Sequence, residues 1–396
     1  MSHQELFLDR VALIQAFLEL KGLDGLLISR VDNYAMATGG KRNFINTYTD
    51  KGANSLLIQK DGGVHFVGNG IESTRQMEEE FQGLNVGCVS FLWSSGSPAA
   101  TVQEKFGGAI GSDDGALGPN LNNDLSELRA ILTETELEKY RRIGQRGAEA
   151  MMATLNAIDK GTLEQDIIAQ LIYEGQKRRC QVPVALVAAD DRIRKFRHPL
   201  PTVAPLIDGP MQEARVERYV MVVGCFLAEG LVVSMTRFKR VDALPEGIED
   251  AFTRICAVDA EMQVATEPGH TLGDVFTACQ EAYVRYGFPP NEWHNHHQGG
   301  ATGYAGRTAK GMPGATFPVL PRLCLRRAEE IRGKAMPCGA AFAWNPSAPG
   351  VKSEDTFLLL PSGDKEIITS TPAIAPAPLA SVMDREVDFV KSGIAS

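Results

Sequence analysis

Three histidines crowded into one short stretch are the first sign of chemistry in this sequence. His294, His296 and His297 fall in WHNHHQGG, a polar run with glycines that does not suit a plain core element. His198 stands in FRHPLPT, flanked by basic residues and two prolines, on a loop that proline constrains. An imidazole of ordinary pKa, about 6.5, can move a proton at neutral pH, so a positioned histidine is a natural general acid or base. His3, His65 and His270 have no such setting and read as surface residues. Cys225 lies on a strand-like run, where residues two apart share a face, so it stands beside Val223. Ser234 and Thr236 share a face of the next run in the same way. A thiol near His198 or His297 would be a candidate nucleophile; otherwise Cys225 is a small buried hydrophobe. Arg307, just past the histidines, is a candidate clamp, because guanidinium pairs bidentately with carboxylate. Gly68-x-Gly70 lacks a third glycine and a following Rossmann pattern, and carries no nucleotide signal.

The elements that must position these groups follow from periodicity. Val11, Leu13, Ile14, Phe17 and Leu18 trace one face of a helix that Gly22 and Gly25 stop. Leu26–Leu27–Ile28 reads as a buried strand. Ser55–Ile58 and Val64–Val67 flank Asp61–Gly62–Gly63, a hairpin signal. Residues 71–81 read as helix, and the Gly/Asp/Asn-rich stretch from Phe106 to Asp124 marks a boundary, with the join between 124 and 132. Thr133 and Glu136 have capping-box spacing ahead of a long amphipathic helix ending near Ala157. A second helix starts at Thr162. Gly161 and Gly269 each sit between two helical patterns and are followed five residues later by Asp166–Ile167 and Asp274–Val275. That echo suggests a pseudo-symmetric C-terminal domain with its site between the halves. Strands are expected at Val182–Ala189, Tyr219–Phe226, Leu231–Arg237, Ala340–Trp344 and Thr356–Leu360, the second and third forming a hairpin across Leu227–Gly230. The Pro/Ala-rich stretch Thr371–Ala380 reads as an irregular tail.

Composition narrows the partners. The 396 residues carry 40 basic and 49 acidic side chains, a formal charge of −9, with 44% hydrophobic and 22% charged residues. That is a globular balance, and it argues against nucleic acid or an anionic membrane, both of which need clustered Lys and Arg. The basic stretches at Arg178–Arg179 and Arg192–Arg197 read as solvated surface. No apolar run approaches the ~18 residues of a membrane span, and mean hydropathy is −0.12. The polar N-terminus does not read as a signal peptide. Seven cysteines without a CxxC pair read as reduced thiols, and a cytoplasmic location is expected.

Four stretches in order, FRHPLPT, VGCFLAEGLVVSMTRF, HHQGG and FAWNPSAPGVKSEDT, resemble the creatinase/aminopeptidase superfamily, the M24 peptidases with the "pita-bread" fold. Within residues 9–80, RVDNYAMATGG and NGIESTR resemble the N-terminal domain of its Xaa-Pro aminopeptidase and creatinase branch. The resemblance implies an α+β chain: a smaller creatinase-type α/β domain over residues 1–128 and a pita-bread domain over 129–396. It also implies five metal ligands in the peptidases: two Asp, one His and two Glu. Here the Asp-x-Thr-Arg pattern reads Ser234–Met235–Thr236–Arg237, and counting back eleven places Val223 at the first Asp. His297 fits the ligand histidine and Glu354 the last glutamate, while Asn345 stands at the other glutamate position and Tyr304 at a substrate-contacting histidine. One carboxylate would leave about three of a two-metal centre's charges uncompensated, so no metal and no other cofactor are expected.

Creatinase lacks the metals and hydrolyses a C–N bond, and its acid–base histidine and orienting carboxylate match His198 and Glu354. A second creatinase glutamate aligns with Thr236, so that part of its mechanism does not carry over. The expected site is therefore His198, Glu354 and His297 for chemistry, with Tyr304, Asn345, Thr236, Ser234, Cys225, Arg307 and Arg42 around the substrate. Arg30, Arg42 and Asn43 occupy N-terminal loops that, in this branch, reach the neighbour's cleft in a homodimer. Three readings stay open. The first is a metal-independent hydrolase or lyase cleaving a C–N bond of a small, carboxylate-bearing metabolite. The second is a non-catalytic binding module, and the third an Xaa-Pro aminopeptidase with atypical ligands.

Overall fold

A computed structural model describes residues 3–200, 214–321, 338–371 and 394–395. Pro201 and Thr202 of the FRHPLPT stretch, and the tail expected beyond Thr371 up to Ala380, lie outside the described residues. The chain divides into two compact units between Arg129 and Ala130.

In the first unit the elements run α1 (His3–Lys21), β1 (Gly25–Arg30), α2 (Val31–Thr38), β2 (Lys51–Gln59), β3 (Val64–Asn69), α3 (Gly70–Arg75), β4 (Gly87–Phe91), α4 (Pro98–Lys105), β5 (Ile110–Ser112) and α5 (Ser126–Ala130). The strands form one sheet in the order β4-β3-β2-β1-β5. The expected hairpin is present, with Ser55 opposite Val67 and Ile58 opposite Val64. Gly62 turns it at φ 108°, a conformation open to glycine. Helix α3 starts where the Asn69 side chain accepts from the backbone of Ile71 and Glu72, and a π-helical turn, Gln76–Glu80, continues it. Leu27, Leu57, Val67, Val102 and Ile110 make the apolar layer between sheet and helix.

The second unit opens with β6 (Leu132–Thr133) and α6 (Glu134–Asn156), whose capping box between Thr133 and Glu136 is formed as its spacing predicts. There follow α7 (Glu164–Lys177), β7 (Gln181–Ala189), α8 (Asp191–Lys195), β8 (Tyr219–Ala228), β9 (Leu231–Arg240), α9 (Ile248–Ala265), α10 (Leu272–Arg285), β10 (Gly299–Thr302), β11 (Ala309–Lys310), β12 (Cys338–Trp344), β13 (Ser347–Ala348), β14 (Val351–Lys352), β15 (Asp355–Leu359), β16 (Lys365–Ile367) and β17 (Ile394–Ala395). The echo seen in the sequence is structural. Gly161 at φ 90° joins α6 to α7, and Gly269 at φ 94° joins α9 to α10.

Each helical pair is followed by strands of its own sheet. One sheet runs β17-β9-β8-β7; the other runs β11-β10-β12-β15-β16, with β6 pairing to β12. The β8–β9 hairpin turns on two left-handed residues, Glu229 at φ 49° and Gly230 at φ 77°. The two sheets are sewn together along β9. Thr236 N–H donates to the Glu354 carbonyl at 3.0 Å, and Ser234 N–H to Thr356 Oγ1 at 2.8 Å. Tyr219, Phe238, Phe252, Phe342, Trp344 and Phe357 fill the core beside this seam. Cys88, Cys180, Cys225, Cys256 and Cys279 are free thiols.

Candidate active site

Glu354 follows strand β14 and is 2% exposed. A buried carboxylate needs partners for its oxygens, and this one has them on every side. Oε1 accepts from Arg307 Nη2 at 2.9 Å and from Asn345 Nδ2 at 3.3 Å. Oε2 accepts from Thr236 Oγ1 at 2.8 Å and lies 3.1 Å from Lys352 Nζ. The arrangement is held from behind by Arg237, the residue after Thr236. Its guanidinium donates to Asp355 at 2.6 Å, to the Thr236 carbonyl at 2.8 Å and to the Thr369 carbonyl at 2.7 Å. This fully buried fork fixes β9 against β15, and so fixes Thr236 against Glu354. On the hairpin, Cys225 Sγ and Ser234 Oγ are 3.2 Å apart.

The histidines form a second cluster in the same unit. His198 Nε2 and His296 Nε2 are 3.0 Å apart, so one ring donates and the other accepts. The rings of His296 and His297 stack with centroids 4.4 Å apart, and His297 lies 5.1 Å from His198 by the same measure. An ion pair between Arg197 and Glu292 ties the His198 loop to the 3-10 turn Glu292–Asn295 that leads into His296. The Gln298 amide donates to the His296 carbonyl and, at 3.1 Å, to the Trp293 carbonyl, while its oxygen accepts from Tyr283 at 3.0 Å. Arg192 and Arg197, expected as solvated surface, are thus engaged: Arg192 pairs with the fully buried Glu164 at 3.0 Å, and Arg197 with Glu292.

Charge and burial set the protonation states. Burial pushes the Glu354 carboxyl up, but Lys352 and Arg307 outweigh it and hold the group down at about 2. Burial, then Arg307, lowers His297 to about 4. His198 is lowered by burial and by Lys352, and His296 falls far below the usual histidine range for the same two reasons. At neutral pH the three imidazoles are therefore uncharged and Glu354 is a carboxylate. The Cys225 thiol is pushed up by burial and by Glu354, which keeps it protonated. Its polar neighbour is Ser234, not a histidine, which favours a half-buried packing side chain over the nucleophile.

Most of the expected residues come together: Ser234, Thr236, Cys225, Arg307, Asn345 and Glu354 at the seam, with His198 and His297 in the adjoining cluster, where Lys352, Glu354, Arg307 and Lys310 all act on His198. Two do not. The Tyr304 hydroxyl donates to Glu136 of the capping box, so it is committed away from Glu354. Arg42 belongs to the first unit, where it is 62% exposed and pairs with Glu80. Arg30 pairs there with Asp50 at 2.9 Å, and Asn43 bridges the Ser29 and Asn54 carbonyls.

Sequence reasoning passed over Lys352, and it chose His297 where the ring bonded to His198 is His296. The signal for Lys352 was present: in Lys352-x-Glu354 the two side chains are two residues apart and share a face.

The residues do not fit the two-metal centre implied by the resemblance. Val223 is packed in the hydrophobic core, Ser234 faces Cys225, and Asn345 and Lys352 address the only glutamate left of the ligand set. His198, His296 and His297 bring ring nitrogens within 4.8 Å of one another, a spacing that suits a single transition metal. The charges oppose it: Lys352, Arg307 and Lys310 all bear on His198 and His297, and among the groups acting on them only the Glu354 carboxylate offsets these three cations.

No family sequence model matches the chain, and no curated protein sequence is similar to it. Its fold has clear relatives among solved structures. A prolidase from Pyrococcus horikoshii aligns at 16% identity over 92% of this chain and 98% of its own, with a TM-score of 0.69. An Xaa-Pro dipeptidase from Bacillus anthracis aligns at 16% identity over 92% and 98%, with a TM-score of 0.66. The N-terminal domain of the FACT complex subunit SPT16 from chickpea aligns at 11% identity over 93% and 97%, with a TM-score of 0.61. At these identities the likeness is one of fold. The chain is an α+β protein with the pita-bread fold of the creatinase/aminopeptidase, or M24, superfamily.

Proposed function

We propose that this chain is a hydrolase or lyase that cleaves a C–N bond of a small carboxylate-bearing molecule without the superfamily's two-metal centre. The observation that carries this is the state of Glu354. Its four acceptor positions are taken by Thr236, Asn345, Arg307 and Lys352, so the protein's own donors stand where a metalloenzyme would present open carboxylate. The hydrolase class is supported by the fold, shared with a prolidase and an Xaa-Pro dipeptidase.

In this mechanism His198 is the general base. It is uncharged at neutral pH and stands at the edge of its cluster, with His296 on one nitrogen. It takes a proton from the attacking water, or from the substrate carbon in an elimination, and returns it to the leaving nitrogen. His296 holds the ring and its tautomer, and His297 packs beside both. Glu354 keeps Arg307 and Lys352 in place. A homodimer and a cytoplasmic location belong to the same proposal. No described helix is long and apolar enough to cross a membrane.

The test is a turnover screen over N-acyl, N-carbamoyl and N-amidino amino acids, followed by His198→Ala. The proposal requires a fall of at least ~10²-fold in kcat, the size of a general acid–base contribution. A second reading, a binding module, is favoured by the likeness to the SPT16 domain. A protein that binds its ligand equally well with and without His198, and turns nothing over, would establish it.

A further inference from the structure

His198 sits on a stretch that its own backbone does not hold. Among the described residues, no backbone group of Arg197, His198, Pro199 or Leu200 bonds to another backbone group, and these residues belong to no helix or strand. Yet His198, the exposed member of its cluster, meets His296 at a defined point, Nε2 to Nε2 at 3.0 Å. A directed contact on a segment without backbone pairing needs side chains to fix it. One side chain reaches the chain on both sides of this histidine.

That side chain is Arg192, on helix α8. Its Nε donates to the fully buried Glu164 at 3.0 Å, and Glu164 in turn accepts from Ala189 N–H at 2.8 Å, at the end of β7. Its Nη2 donates at 2.7 Å to the carbonyl of Leu200, two residues after His198. Its guanidinium carbon lies 5.2 Å from the ring centre of Phe196, two residues before His198. The planar fork of arginine makes these three contacts at once; a lysine ammonium, one nitrogen on a flexible stem, cannot. The base of the same loop is clasped by Asp190, whose carboxylate accepts from the backbone N–H of Glu217 at 2.8 Å and of Arg218 at 2.9 Å. We infer that Arg192 is a positioning residue, which grips the chain on either side of His198 and so holds that ring against His296. Only its effect on turnover rests on the reading of His198 as the base; the grip itself does not.

The test uses the full-length protein with isotopically labelled histidine, as wild type, Arg192→Lys, Phe196→Ala and, as a control on the same loop, Arg194→Lys, whose side chain is exposed. The magnetic resonance signal of the imidazole N–H shared by His198 and His296, identified by its change in His198→Gln and in His296→Gln, reports the contact. Its exchange with water reports how firmly the contact is held. Arg192→Lys should speed that exchange at least ~10-fold, Phe196→Ala by less, and Arg194→Lys not at all. Lysine keeps a cation beside Glu164, so little change in Tm should accompany the effect. Once a substrate is turned over, Arg192→Lys should lower kcat at least ~10-fold and move KM by less than about threefold, since a misplaced base costs rate rather than binding. Wild-type exchange in Arg192→Lys, or an equal effect from Arg194→Lys, would overturn the grip. Should Arg192→Lys fail to fold, Phe196→Ala decides, because Phe196 is 46% exposed and its truncation spares the core; exchange as slow as in the wild type would then overturn the grip. An unchanged kcat in a variant whose contact has loosened would overturn its bearing on catalysis. If exchange behaves as expected while no substrate is ever turned over, the grip stands and the hydrolase reading falls.

Discussion

Removing Glu354 and removing Lys352 should have very unequal consequences for stability, although the two side chains form one ion pair. In Glu354→Gln the shape is kept but Lys352 and Arg307 lose their shared counterion. Breaking a buried pair by deleting one partner costs about 3–5 kcal/mol, and here two cations are stranded at once. For a domain of this size each kcal/mol moves Tm by roughly 2 °C, so a fall of roughly 6–10 °C is expected. In Lys352→Met the surplus cation disappears, a similar volume is kept, and Glu354 retains Arg307 at 2.9 Å and Thr236 at 2.8 Å. That variant should lie within about 1 kcal/mol of the wild type, on either side. Urea unfolding with both variants and the double mutant gives the interaction energy directly. The double mutant should recover much of what Glu354→Gln loses. Equal costs for the two single variants, or a double mutant no better than Glu354→Gln, would refute the view that the seam carries one cation too many. The same arithmetic means that a loss of activity in Glu354→Gln is no proof of a chemical role, because the site itself is disturbed.

Three further outcomes are expected. If His198 is the base, kcat/KM should hold at neutral pH and fall on the acid side through a pKa below the ordinary ~6.5 of histidine, because burial and Lys352 lower it; an acid limb above that value would point to another group. Stability should fall as pH drops from the usual histidine range towards 4, because His297 titrates at about 4 in the folded chain and nearer its ordinary value unfolded, so that protons bind the unfolded state first; acid unfolding curves of His297→Gln, flatter across that window, would check it. Light scattering should return about twice the 42.9 kDa chain mass, and a clean monomer at micromolar concentration would remove the homodimer.

The fold was readable because local rules and long-range packing agree here. Thr133 and Glu136 satisfy each other's backbone donors whatever the tertiary structure, and the Gly62 turn admits one hairpin register. Gly161 and Gly269 break helices at positive φ in both halves, so the duplication showed as a repeat of punctuation. The site was only partly readable, for two physical reasons. Motif positions give backbone places, not where a side chain finds its partner: Tyr304 stands in register, yet its hydroxyl goes to Glu136. Charge balance, in turn, is a property of space. Reading the ligand set alone counted the missing carboxylates at Val223, Ser234 and Asn345 and overlooked Lys352, which acts on Glu354 together with Arg307. Which of the two neighbouring rings bonds His198 was hidden in the same way, since adjacent residues on an irregular turn cannot be ranked before their rings are placed.

The central claim, that this site works with fixed protein cations and without bound metal, is tested most directly by elemental analysis of the protein expressed in medium supplemented with manganese, iron, cobalt and zinc. The account predicts far less than one equivalent of any of these per chain after dialysis, with no gain in Tm when they are added back. One equivalent that resists dialysis in the wild type, and is lost in His198→Ala and His296→Ala, would contradict it and assign the three histidines to a metal.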